Sequence, residues 1–378
     1  MVRSGRLAIL LTALLACGSP AAAVAAKKKK KSDWQPTIVQ VIEEKAGIAP
    51  GDFTTVDAEC PGDFSVMGGS YVIGGASLLA HAAAASPIPA QNLYRVTVSN
   101  PVTNPFATIP PRDASVTVVA QCTASGTPVV AEGRFRPPNA IDPDDLYHLK
   151  RYGNGLPSTV FDRTKQVGGI ENGDVQKHDV NCNRGGSSVF GGGYTIDGSL
   201  WAHTAGSAVL SKTNDYSATI VTPPSNPSLG VFRATALLRV TVLCTRDGRP
   251  MVFNDGPTPA SAAAKPKKKP KKLRGTVKIV QKKKGGISSG NVETVAAKCP
   301  SGYSIFGGSY IIGGNSVLTH PTAATVGSRT NTFSVTVVNP PVNINAGIPR
   351  TTAEVIAVAN CTRSGTPIIV DGPFSQAR

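Results

Sequence analysis

Beyond residue 26 the chain has no apolar run approaching the ~18–20 residues that a membrane-spanning helix needs. It also has no stretch with the 3.6-residue apolar stripe of an amphipathic helix. Aromatic residues are scarce at 6%, and Trp34 and Trp201 are the only tryptophans, which leaves little material for stacking platforms. No H-E-x-x-H or G-x-G-x-x-G motif occurs, and no glycine run ends in G-K-[ST]. The familiar routes to zinc-peptidase and nucleotide chemistry are therefore missing. An all-β, non-catalytic protein is what these absences leave.

What is present is a repeat. Cys60 and Cys122 stand 62 positions apart, as do Cys182 and Cys244, and Cys299 and Cys361. The first cysteine of each pair is followed by SVMGGSY, SVFGGGY or SIFGGSY, ending at Tyr71, Tyr194 and Tyr310. The second lies in VTVVAQCTASGTPVV, VTVLCTRDGRPMVF or VIAVANCTRSGTPIIV. One module of about ninety residues is used three times. Six cysteines allow 15 pairings. If each module folds independently it must carry its own pair, which selects Cys60–Cys122, Cys182–Cys244 and Cys299–Cys361.

Disulfides imply an oxidising compartment, and the N-terminus agrees. Arg3 and Arg6 precede the apolar segment Leu7–Ala16, which reads as an export signal over residues 1–26. The small residues Ala23, Val24 and Ala25 suit signal peptidase, which favours a freely secreted form. Leu14-Leu15-Ala16-Cys17 resembles a relaxed bacterial lipobox, an alternative in which Cys17 is lipidated and tethers the chain.

The net charge of +16 is unevenly placed. Five lysines form Lys27–Lys31, and eleven basic residues lie between Lys265 and Lys284, with no acidic residue in either tract. Without those sixteen, 23 basic face 23 acidic residues. The tracts either serve as solvated spacers that keep the modules apart by self-repulsion or contact anionic envelope or extracellular polymers by counterion release. The lysines concerned are Lys27, Lys28, Lys29, Lys30 and Lys31, with Lys267, Lys268, Lys269, Lys271 and Lys272 in the second tract. No aromatic is interleaved with them, so sequence-specific nucleic-acid recognition is not expected.

The resulting organisation is a Lys-rich tether at 27–36, modules at 37–132, 166–253 and 276–370, a connector at 133–165, a Lys/Pro/Ala-rich linker at 254–275 and a tail at 371–378. Within the first module the runs TIVQV, FTTVDAEC, FSVMGGSYVI, ASLLAHA, LYRVTVSN, ASVTVVAQC and GTPVV are short, β-branched and bounded by turn residues. They predict three tandem antiparallel β-sandwich-like modules, each with one disulfide, joined by flexible basic and Pro-rich linkers. Tyr94, Tyr216 and Phe333, each 34 positions after its first cysteine, are the expected aromatic anchors. A segment from Gly275 to Val370 is expected to fold alone.

The module resembles one common in exported proteins of actinobacteria and their relatives. The matching pattern is C-P-x-G, then G-G-[GS]-Y, then a closing A-x-C. It is carried here by Cys60, Pro61, Gly68, Gly69, Tyr71 and Cys122, and by Cys299, Pro300, Gly307, Gly308, Tyr310 and Cys361. Module two departs from it at Asn183 and at an extra glycine, Gly193. The resemblance implies location and architecture and carries no activity.

Four site candidates remain. His81, His203 and His320 each lie 21 positions after the first cysteine of their module and would make a zinc site if the modules closed around an axis. Long, dissimilar connectors do not favour such a ring, and no Cys, Asp or Glu repeats beside the histidines, so structural residues are the expected reading. The GG pairs read as bulges or close backbone approaches within strands. Asp142, Asp144 and Asp145 form an acidic turn without EF-hand spacing, and Asp57 and Asp179 have Ala296 as their third counterpart, which argues against repeated catalytic acids. The expected protein is exported, without cofactor or resident metal, with a binding, adhesion or structural role. Carbohydrate or small-ligand binding is the alternative, and catalysis is the least favoured.

Overall fold

A computed structural model describes residues 37–102, 111–131, 158–182, 186–210, 213–224, 234–252, 275–314, 318–327, 330–341, 351–369 and 375–376. The segment read as an export signal, Cys17, Lys27–Lys31, most of the connector with its aspartates, and Lys265–Lys272 lie outside them. The described chain is all-β, with one 3₁₀ turn at Pro89–Gln91, and no helix in it is long and apolar enough to cross a membrane.

Each module contributes six strands. In the first they are β1 (Ile38–Ile48), β2 (Phe53–Glu59), β3 (Phe64–Gly75), β4 (His81–Ile88), β5 (Leu93–Ser99) and β6 (Ala114–Ala124). The second supplies β7 (Val160–Ile170), β8 (Val175–Asn181), β9 (Ser187–Asp197), β10 (His203–Leu210), β11 (Asp215–Val221) and β12 (Ala236–Arg246). The third supplies β13 (Val277–Ile287), β14 (Val292–Lys298), β15 (Tyr303–Gly314), β16 (His320–Gly327), β17 (Thr332–Val338) and β18 (Ala353–Arg363). A short β19 (Ser375–Gln376), in the stretch read as a tail, pairs in parallel with β13. β7 begins inside the stretch read as connector. Its residues are mostly exposed, and an edge strand with polar faces reads like a loop.

A module is a sandwich of two half-sheets. In the first, β1, β6 and β3 form one half and β2, β5 and β4 the other. Cys60, just after β2, is bonded to Cys122 in β6 with Cα atoms 5.7 Å apart, and Cys182–Cys244 and Cys299–Cys361 repeat the bond at 5.8 and 5.7 Å. The disulfide thus ties one half-sheet to the other, closing a loop of about sixty residues.

The half-sheets do not end at the module. β3 pairs with β16, β15 with β10, and β9 with β4, so every sheet joins half of one module to half of another. The orders are β1-β6-β3-β16-β17-β14, β19-β13-β18-β15-β10-β11-β8 and β2-β5-β4-β9-β12-β7. Module one joins three, three joins two, and two joins one. The ring is closed. One hydrophobic cluster, including Tyr71, Tyr194 and Tyr310, draws on all three modules.

Two expectations are corrected here. The modules do close around an axis despite their dissimilar connectors, and their core is shared rather than private. The physical cause is the unpaired edge that each half-sheet would otherwise present to water. The closure is sealed at one end of the axis by backbone alone. Val129 N–H donates to Met251 O, Met251 N–H to Ile368 O and Ile368 N–H to Val129 O, each at 2.8 Å. These residues belong to the GTPVV-type segments, read as a seventh strand but used as a cap.

Candidate functional site on the module axis

Beneath the backbone cap lie Met67, Phe190 and Phe306, in a second apolar cluster with Ile38, Leu243, Met251, Val277 and Ile368. Each aromatic or methionine is the residue skipped by a β-bulge. Register shifts fall between Val66 and Gly68, and between Ile305 and Gly307, while on β12 Leu243 faces Gly191 and Cys244 faces Val189. The bulge turns the extra side chain toward the axis. The first glycine of each GG pair therefore marks a bulge, and the second marks a close approach. A Cβ at Gly308 would stand 2.1 Å from the Phe333 ring.

Below this cap is a cavity of about 70 Å³ walled by residues of all three modules. Its polar lining includes Tyr71, Gln121, Ser309 and Asn360, and Tyr71 Oη, Gln121 Nε2, Ser309 Oγ and Asn360 Oδ1 lack hydrogen-bond partners. No Asp, Glu, Lys, Arg or His is among its lining residues, and its titratable groups are the phenols of Tyr71, Tyr94, Tyr194, Tyr216 and Tyr310. Its size suits about two water molecules at ~30 Å³ each. Ligand pockets start near ~300 Å³.

Tyr71, Tyr194 and Tyr310 form the next layer, all buried. Tyr194 and Tyr310 hydroxyls are 3.3 Å apart, and Tyr310 Oη lies 2.8 Å from Thr204 Oγ1. Tyr194 O–H donates to Ala82 O at 3.4 Å. Burial raises the pKa of all three above the ordinary phenol value, so they stay neutral.

Thr204 and Ala82 each adjoin a histidine, and the histidines form the last layer. His81, His203 and His320 open β4, β10 and β16 and are each 2% exposed. Their ring centroids form a near-equilateral triangle of 5.5, 5.5 and 5.6 Å. Nδ1 bonds to the carbonyl two residues back, at 2.9 Å to Leu79, 3.1 Å to Trp201 and 2.8 Å to Leu318. Nε2 reaches toward the next module. His81 Nε2 is 3.0 Å from Ala202 O, whereas His203 and His320 turn theirs toward Thr319 and Ala80 carbonyls without completing a hydrogen bond. Burial lowers the His81 pKa. Burial first, then His81, lowers His203 to about 3. Burial, His81 and His203 together lower His320.

The ring brings the three histidines together, as a zinc site would require, yet their nitrogens face carbonyls rather than a common point. No group of His, Cys, Asp or Glu among the described residues is arranged to hold a metal. The other candidates stay apart. Asp57 is in a two-pronged ion pair with Arg95, closest at 2.6 Å, and Asp179 is 3.2 Å from Lys177. Of the second basic tract, Lys278, Lys282, Lys283 and Lys284 belong to β13, where Lys283 is 2.8 Å from Glu354 and Lys278 lies over the Tyr303 ring.

Sequence reasoning missed one threefold set. Asn92, Asn214 and Asn331 adopt left-handed φ of 54°, 59° and 58° in the turn after β4, β10 and β16. Their amides bind β3, β9 and β15, accepting from Val66, Val189 and Ile305 N–H at 2.8, 2.7 and 2.8 Å. Their shared position, 32 after the first cysteine, was the available signal. No protein-family model matches the chain, and no curated protein is similar to it.

Proposed function

We propose that the protein is an exported, non-catalytic component of the cell envelope or its surroundings: a disulfide-stapled ring held against anionic polymers by its lysine tracts. One observation carries this reading. The first tract runs into Thr37 and the second into Thr276, and these are equivalent points on the ring. Thr37 N–H donates to Val130 O at 3.1 Å and Thr276 N–H to Ile369 O at 2.8 Å, both beside the backbone cap. Both tracts are thus joined in sequence to equivalent points of the ring beside its cap, and together they can engage one anionic surface.

Support also comes from the repeat. Its polar chemistry points inward, where it is neutral and too confined for a substrate. The three disulfides and the resemblance to modules of exported proteins fit the same location, whether the chain is freely secreted or lipid-tethered at Cys17. The small axial cavity does not favour the carbohydrate-binding alternative.

The test is retention on isolated anionic envelopes or phosphate-bearing beads across a salt series. Replacing Lys27–Lys31 and the lysines from Lys265 to Lys272 with glutamine is expected to abolish retention and leave thermal unfolding unchanged. Wild-type retention should weaken by orders of magnitude between low and physiological salt. Retention that survives the replacement, or ignores salt, would move recognition to the folded ring.

A further inference from the structure

The three seams of the ring are short. β4 meets β9 at Ala84–Thr195 and Ala85–Tyr194, β10 meets β15 at Gly206–Ile311 and Ser207–Tyr310, and β16 meets β3 at Ala323–Val72 and Ala324–Tyr71. One strand of each seam, β4, β10 or β16, begins with one of the axial histidines. His81 spans from the Leu79 carbonyl of its own module to the Ala202 carbonyl of the next, and His203 and His320 aim Nε2 at the Thr319 and Ala80 carbonyls without completing that hydrogen bond. We infer that the histidine triangle is an acid-operated lock, holding the seams shut while its rings are neutral and parting the modules when they are protonated.

The argument rests on what surrounds the rings. Among the described residues the titratable groups around them are one another and the tyrosines of β3, β9 and β15, which burial keeps uncharged; His81 acts on His203, and His81 and His203 act on His320. A neutral ring has one N–H and donates to only one carbonyl, and even a first imidazolium would carry its charge away from water, so the closed ring keeps all three neutral. A second or third places like charges about 5.5 Å apart, away from water and, among the described residues, without a carboxylate acting on them. Separating the modules hydrates all three. What remains of each module is still stapled by its own disulfide.

The sign follows from the lowered pKa values. In the closed ring they lie below the ordinary 6.5, with His203 at about 3, so the open state binds more protons as pH falls from 6.5. Closure is complete above pH 6.5 and is lost progressively below it. Three histidines make the opening constant rise by up to ~10³-fold per pH unit.

The experiment is hydrogen exchange on the full chain between pH 7.5 and 4.5, corrected for intrinsic rates. Amides of β4, β10 and β16 facing the seams are expected to lose protection first, while β6, β12 and β18 stay protected. Single His81→Gln, His203→Gln and His320→Gln substitutions should each reduce the pH slope by about one proton, and His178→Gln, outside the triangle, should not. A variant that fails to fold is replaced by imidazole proton NMR of the wild type. There the three rings should stay neutral in the closed form and charge only as the seam amides open. Rings that titrate near pH 6.5 with seams intact, a slope indifferent to all three substitutions, or simultaneous exposure of seams and stapled strands would each overturn the lock.

Discussion

Gly69 lies directly beneath the ring of Tyr94. A Cβ added at Gly69 would meet Tyr94 Cγ at 2.3 Å, whereas one at the preceding Gly68 would meet nothing nearer than Gln121 Oε1 at 3.8 Å. The pair joins the two layers of the first sandwich, since Gly69 is on β3 and Tyr94 on β5. Gly308 and Phe333 repeat the contact in the third module.

The two glycines of one pair should therefore respond oppositely to alanine. Gly69→Ala and Gly308→Ala force a methyl into an aromatic ring and are expected to cost about 1–3 kcal/mol or more. Gly68→Ala should be neutral or slightly stabilising, because a strand glycine loses more backbone entropy on folding than alanine. Denaturant midpoints compare them. Equal effects at Gly68 and Gly69 would show that the layers can repack.

Each disulfide should contribute about 4 kcal/mol, from a loop of 62 residues. Because the core is shared, the loss should reach beyond one module. Cys299→Ala with Cys361→Ala is expected to lower the unfolding midpoint of the whole ring as one transition. A separate, low-stability transition for the third module alone would instead mean that the modules are energetically independent.

The axial polar groups allow a substitution that stabilises. Module two places Leu243 where modules one and three place Gln121 and Asn360, each with an unpartnered polar atom in the cavity. Gln121→Leu combined with Asn360→Leu removes both and fills part of the roughly 70 Å³ space. A gain of roughly 1–2 kcal/mol is expected from groups that no longer lie buried without partners. A loss of similar size would indicate that these amides anchor a bound molecule.

Local order was legible in the residues, and closure was not. β-Branched runs, turn residues and the fixed cysteine spacing identify the strands and disulfides because those depend on neighbours within one module. The meeting of His81, His203 and His320 depends on edges finding partners more than a hundred residues away, and no local pattern records that. Gly193 shows the difference. As sequence it looks like an irregularity of module two, yet a Cβ there would stand 2.4 Å from Ser86 Cα across the seam with module one. β7 was hidden for another reason: its exposed polar face satisfies water as a loop would.

Closure also changes what a single module should do. A fragment from Gly275 to Val370 carries a complete sandwich and the Cys299–Cys361 bond, but it leaves β15 and β16 without the partners they have in β10 and β3. Those partners are equivalents of its own strands, since β10 corresponds to β16 and β3 to β15. Three copies can therefore close the same seams, with Ile368 cycling its backbone bond as Val129, Met251 and Ile368 do in the full chain. The fragment is expected to be a homotrimer at micromolar concentration by light scattering, and to dissociate below pH 6.5 as its three His320 rings charge. A well-folded monomer at all concentrations would show that a half-sheet tolerates its open edge, and that the ring is held mainly by covalent linkage of the modules.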